Sequence, residues 1–211
     1  MDISIYKNRR ENLQELLPEN SVLLIPGAEI QYRNSDSSFP FRQESNFYYL
    51  SGFCEPASLI AITKKDNQIT SLIFVPPKDK LKEIWDGYRA GPLGAVEDFL
   101  FDKAYDNTQI DEILPDILFG SDIVLYPIGK KNGFDQKVID WTSEASKKDR
   151  HSKSINISDA SSIIGNARLI KDDHEISLIK KACSISADAH IEAMKSVKGG
   201  DSEQFIESMY I

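Results

Sequence analysis

The chain has 211 residues, and its 33 acidic against 25 basic side chains leave a formal net charge of −8, which argues against a nucleic-acid partner held by bulk charge. Its 41% hydrophobic and 27% charged fractions are those of an ordinary soluble protein. A fold of this size buries roughly 70% of its extended-chain surface and needs no covalent staple.

Taken in chain order, residues 7–17 (KNRRENLQELL) place Leu13, Leu16 and Leu17 on one helical face, ended by Pro18. SVLLIP (21–26) has the length of a buried strand. Residues 33–53 then crowd Arg33, Asn34, Asp36, Arg42 and Gln43 ahead of Phe47, Tyr48, Tyr49, Leu50 and Phe53, with Pro40 barring a helix through the middle. The expectation is a structured charged loop feeding a strand over 46–53, stopped by Gly52 and Glu55-Pro56. SLIAIT (58–63) and TSLIFV (70–75) flank a hairpin turn at 64–68, and Pro76-Pro77 closes the second strand. Residues 78–92 read as a polar, turn-rich loop around one large apolar residue, Trp85, before a mixed region.

Ile110, Ile113, Leu114 and Ile117 predict a helix over 108–118, SDIVLYP (121–127) a strand, 134–146 a helix, and 151–158 a short strand. Strands interleaved with helices mean an α/β domain, and the hairpin makes its sheet mixed. This domain is placed at 1–158. From Asp159 the texture turns helical: Asp159 caps one helix, and Asp172 caps a longer one with Glu175 completing a capping box. Gly199-Gly200 stop that helix and another opens at Asp201 or Ser202. Its apolar residues have no partner left in the sequence, so 159–211 is expected to be the incomplete start of a second domain.

Few residues carry a chemical signature. His151, His174 and His190 lie in three separate segments, without H-E-x-x-H or C-x-x-C spacing, and no metal ligand is assigned. No G-x-S-x-G elbow or phosphate loop is present. Cys54 and Cys183 are distant from one another and read as free thiols of a reducing compartment. The opening MDISIYKNRR offers no apolar run for a signal or a membrane helix, and cytoplasm is the expected location. Asp36, between Arg33 and Arg42, forms either a charge-assisted network or a solvated loop with weak surface pairs. Trp85 either covers one end of the core or is an exposed anchor.

RNSDSSFPFRQESNFYYLSGFCEPAS and EIWDGYRAGPLGA closely resemble the amino-terminal domain of the aminopeptidase P family, proline-specific metallopeptidases of the pita-bread superfamily related to creatinase and prolidase. ARLIKDDHEISLIKKACSISADAHIEAM is similar to the junction into that family's catalytic domain. The resemblance implies a mixed six-stranded sheet flanked by helices, followed by the first helices of a pita-bread domain. It also implies a homo-oligomer acting on peptides with proline second, through a hydroxide bridging two divalent metals, commonly manganese. The family's metal ligands belong further along, so none transfers to this sequence and the 211-residue chain is expected to be inactive alone. Asp36 and Trp85 match residues that line the family's active site, and Arg150 falls near a basic partner. Arg33, Arg42 and Arg89 are possible members of the same network or locks on their own loops. Two other readings stand beside this one: a free-standing non-catalytic interaction domain, and the amino-terminal part of a prolidase acting on X-Pro dipeptides. Neither a nucleic acid nor a membrane is expected as a partner.

Overall fold

The computed structural model describes residues 2–149 and 154–209, and these form two compact units, Met1–Ala167 and Arg168–Ile211. In the first, helix α1 (Ser4–Asn12) continues through a 3-10 turn at Leu13–Glu15 into β1 (Ser21–Pro26). A ribbon of β2 (Tyr32–Asn34) and β3 (Ser37–Ser38) follows, then α2 (Ser45–Ser51), β4 (Leu59–Lys65) and β5 (Gln68–Val75). Next come α3 (Lys80–Asp86), α4 (Gly91–Glu97), β6 (Lys103–Asp106), α5 (Ile110–Leu118), β7 (Ile123–Tyr126), α6 (Asn132–Lys147), β8 (Asn156–Asp159) and α7 (Ser161–Ala167).

Six strands build one sheet in the order β6-β5-β4-β1-β7-β8. β4 lies antiparallel to both β1 and β5, whereas β6, β7 and β8 join in parallel. The expected mixed six-stranded α/β domain is therefore present. The β4–β5 hairpin closes tightly, with Lys65 opposite Gln68 and both turn residues, Asp66 and Asn67, at positive φ. That geometry matches the right-handed twist of the strands it joins, and Asp and Asn tolerate it better than most residues.

Both faces of the sheet are covered, as the alternation along β1 shows. Leu23 and Ile25 pack with Leu13, Leu17, Phe47, Leu50 and Ile164. Val22 and Leu24 pack with Leu114, Leu118, Val138 and Trp141 on the other side. A central strand covered on both faces reads as a continuous apolar run, and each side chain so buried contributes about 1.5–3 kcal/mol.

Four expectations are corrected. Residues 46–53 are not a strand: Glu44 caps α2 by accepting a hydrogen bond from the Phe47 amide (2.8 Å), and Gly52 ends it in the left-handed region at φ 65°. Phe47, Leu50 and Ser51, spaced three and four apart, share its buried face, so caps and packing override the strand preference of the aromatic residues. The segment around Trp85 is a helix as well, because Asp79 accepts from the amides of Leu81 and Lys82. β6, an edge strand of four residues, has no counterpart in the sequence reading. Finally, the first unit runs beyond 158, since Ala160 and Ile164 belong to its core and the Tyr49 hydroxyl donates to the Ala167 carbonyl (2.9 Å).

In the second unit, α8 (Asp173–Ser196) starts at the expected capping box of Asp172 and Glu175, and α9 (Glu203–Glu207) starts at Ser202. Among the described residues no helix is long and apolar enough to cross a membrane.

Candidate functional site

Two excursions leave the first unit. One departs after β1. The Gly27 amide donates to the Ser58 carbonyl (2.7 Å), and the Ala57 amide donates to the Ala28 carbonyl (3.0 Å). Every residue from 29 to 42 is then exposed. Within this stretch the Phe39 amide donates to Gln31 (2.9 Å), and Asn34 Oδ1 accepts from the Asp36 amide at the ribbon turn (3.1 Å). The short Asn side chain stands in for a backbone turn there.

Gln43 closes this excursion at its base and is only 8% exposed. Its Oε1 accepts from the amides of Ala28 (2.6 Å) and Glu44 (2.9 Å), and its Nε2 donates to the carbonyls of Phe53 (3.3 Å) and Glu55 (2.9 Å). Both ends of the side-chain amide are thus used. Gly27 sits against it: a Cβ there would meet Ser58 O at 3.0 Å and Gln43 Oε1 at 3.2 Å.

The second excursion lies between β5 and α4 and carries α3. Leu81, Ile84, Trp85 and Tyr88 are all exposed, Trp85 at 87%. The Arg89 guanidinium pairs with Asp86 (2.9 Å), and the Arg89 amide donates to Glu83 (3.0 Å). Glu55 Oε1 accepts from the Ala90 amide at 2.6 Å, whereas Glu55 Oε2 is buried without a hydrogen-bond partner among the described residues. Burial pushes the Glu55 carboxyl above its usual range, against the opposing pull of the Ala90 amide and of Arg89.

These are the surroundings of the residues singled out in the sequence. Asp36 is exposed at the ribbon turn, Arg33 is exposed on β2, and Arg42 is exposed beside Phe39 and Lys131 in a shallow groove of about 300 Å³. Among the described residues Asp36 pairs with neither arginine. Trp85 stands outward on α3, and Arg89 is engaged within its own excursion. Arg150 lies outside the described residues. Cys54 and Cys183 are free and exposed. A second groove, of about 360 Å³, runs past Gly27, Ser58, Phe134, Lys137 and Trp141, and Lys131 closes one end by donating to the Gly27 carbonyl (2.6 Å).

Sequence reasoning missed Glu55 as a side chain and Arg10 altogether. Arg10 is 1% exposed; it donates to the carbonyls of Leu50 (2.8 Å), Phe99 (3.1 Å) and Leu100 (2.6 Å) and lies 4.0 Å from the Phe101 ring. Burial lowers its guanidinium to about 10. The one available signal was its place beside Arg9, four residues after Tyr6, on a helix whose buried face includes all three.

Among the described residues no group of three or more His, Cys, Asp or Glu side chains could hold a metal ion. The donor set of these residues does not fit a divalent-metal pair.

Known proteins share this arrangement. The family profile "Aminopeptidase P, N-terminal domain" matches residues 6–126. The Xaa-Pro aminopeptidase of Haemophilus influenzae is 31% identical over 206 residues, covering 96% of this chain and 45% of that protein. Intermediate cleaving peptidase 55 of Saccharomyces cerevisiae is 29% identical over 191 residues, covering 86% of this chain and 37% of its own length. An alanine-substituted Escherichia coli aminopeptidase P superimposes with a TM-score of 0.94 at 30% identity, covering 100% of this chain and 48% of that one. Pseudomonas aeruginosa aminopeptidase PepP gives 0.93 at 32% identity, with 100% and 48% covered. The chain spans about half the length, or less, of these relatives. It belongs to the family of the aminopeptidase P N-terminal domain.

Proposed function

We propose that this chain serves as the amino-terminal half of a Xaa-Pro aminopeptidase, which releases the first residue from peptides whose second residue is proline. The observation that carries this reading is the superposition of the whole chain on one half of aminopeptidase P, at a TM-score of 0.94. Catalysis then belongs to the other half, whose residues would hold the two divalent metals, manganese first among them; bound there, such ions would supply Lewis acidity and lower the pKa of water. The 211-residue chain is inactive alone. Residues 168–211 begin the catalytic domain, and the intact enzyme is a cytoplasmic homo-oligomer.

The roles of this half are to wall the site and to position the substrate. Asp36 offers an exposed carboxylate at the end of a ribbon fixed at its base, suited to a polar network around the reacting groups. Trp85 presents an indole face on which an apolar ring such as proline can rest. Arg150 supplies a basic partner, and Arg33, Arg42 and Arg89 support the two excursions. The test is an assay of the intact protein on X-Pro-Y peptides, X-Pro dipeptides and peptides without proline, with and without manganese. Metal-dependent release from X-Pro-Y peptides is expected; no turnover of any peptide would refute the proposal. Turnover confined to peptides lacking proline at position two would refute it equally.

A further inference from the structure

We propose that Glu55 is a positioning residue that couples the ribbon carrying Asp36 to the helix carrying Trp85. The idea rests on the reading of those two residues as parts of one site, but its geometry is independent of any activity. Gln43 Oε1 holds the Ala28 amide, where the first excursion leaves the sheet, and Gln43 Nε2 holds the Glu55 carbonyl. The side chain of the same Glu55 holds the Ala90 amide, where the second excursion returns. One residue thus takes the first excursion by its backbone and the second by its carboxylate.

The link is stiff. Pro56 follows Glu55 and biases it to extended backbone, which helps to hold the carbonyl that Gln43 grips in place. Gln43 itself is buried, with both ends of its amide engaged.

The carboxylate is also a costly choice for a mere tie. Glu55 Oε2 is buried without a hydrogen-bond partner among the described residues, and unmatched buried acceptors are rare in native proteins. The charged groups facing it are Arg89, Lys78 and Glu83, all from the second excursion. Arg89 and Lys78 hold the ionised form in place, while Glu83 opposes it and instead engages the Arg89 amide. A neutral acceptor would make the Ala90 bond but would lose this attraction to the excursion's cations.

Amide exchange read by NMR on this chain tests the coupling without reference to peptidase activity. Glu55→Ala should speed exchange at Ala90 by about tenfold or more, from loss of a charge-assisted bond, and at Ala28, whose amide is held by Gln43 instead, by about threefold or more. Glu55→Gln keeps the acceptor oxygen but loses the charge, so it should speed exchange at both amides by less than Glu55→Ala does. Coupling is reciprocal, so Gln43→Ala should speed exchange at Ala90. In the parent, exchange across a urea series should release Ala28 and Ala90 together, below the free energy of global unfolding. That last measurement stands even where a variant does not fold. Separate release of the two amides, release only on global unfolding, or an Ala28 rate indifferent to Glu55→Ala in a folded variant would overturn the proposal. Peptide assays on the intact enzyme decide the functional reading separately.

Discussion

Gln43→Leu should cost about 3 kcal/mol of stability. The substitution keeps the side chain's approximate volume but strands four backbone groups: the amides of Ala28 and Glu44 and the carbonyls of Phe53 and Glu55. At about 1 kcal/mol net per bond the loss is about 4 kcal/mol, less for the long 3.3 Å contact to Phe53. Leucine in the same 8%-exposed position returns about 1 kcal/mol of apolar burial. Urea unfolding followed by tryptophan fluorescence reads the difference, because Trp141 is 5% exposed while Trp85 is in solvent from the start. With a slope of about 1–3 kcal/mol per molar urea, the midpoint should fall by about 1–3 M. Gln43→Glu serves as the companion. Its carboxylate keeps two acceptors but faces the Phe53 and Glu55 carbonyls, so the folded state favours the protonated acid. Its folded pKa then lies above the unfolded value of about 4.3, and stability falls as pH rises from one to the other. A loss under about 1 kcal/mol for Gln43→Leu, or a Gln43→Glu variant indifferent to pH, would refute the view of Gln43 as the clasp of the excursion.

Three further outcomes are expected. Arg10→Lys keeps a buried charge but cannot match three carbonyls with a guanidinium fork; a loss of about 2–3 kcal/mol by the same urea assay is expected, and full stability would show the fork to be dispensable. The raised Glu55 carboxyl binds its proton more tightly folded than unfolded, so the parent should lose stability relative to Glu55→Gln as pH rises from the unfolded value of about 4.3 through the folded one; parallel pH–stability curves would contradict that sign. Trp85→Ala, at a position 87% exposed, should change stability by less than about 0.5 kcal/mol while lowering peptide turnover by the intact protein, and unchanged kinetics over several peptide lengths would remove Trp85 from the site.

The fold was legible wherever burial imposes a period. β1, β4, β5 and β7 are continuous or alternating apolar runs closed by Pro, Gly or Asp-Asn turns, and all four are found within two residues of their expected places. The strand segments read from the residues differ from those of the sheet by one exchange of membership. Ser45–Ser51 looked like a strand because Phe47, Tyr48 and Tyr49 favour extended chain, whereas β6 was overlooked because Lys103–Asp106 sits at the sheet edge without an apolar run. Both misses share a cause. A short element takes its conformation from what caps and covers it, and for Ser45–Ser51 the Glu44 cap and the floor of Ile25 and Ile60 lie outside the window that composition reads.

The proposed site rests on a different ground. The residues alone left Asp36 and Trp85 each open between a functional and a bland reading, because an exposed side chain carries no packing pattern that composition can read; the family resemblance singled them out. The residues that hold them carry no such mark. Gln43 looked like one more polar residue of a charged loop, and Glu55 like punctuation before a proline. Their partners are the amides of Ala28 and Ala90 and the carbonyls of Phe53 and Glu55, and backbone groups are the same at every position of a sequence. A side chain whose work is done on backbone is invisible until the chain is folded. Positioning residues of this kind are therefore where sequence reading of the site should fail first, and where substitutions chosen from the structure carry the most information.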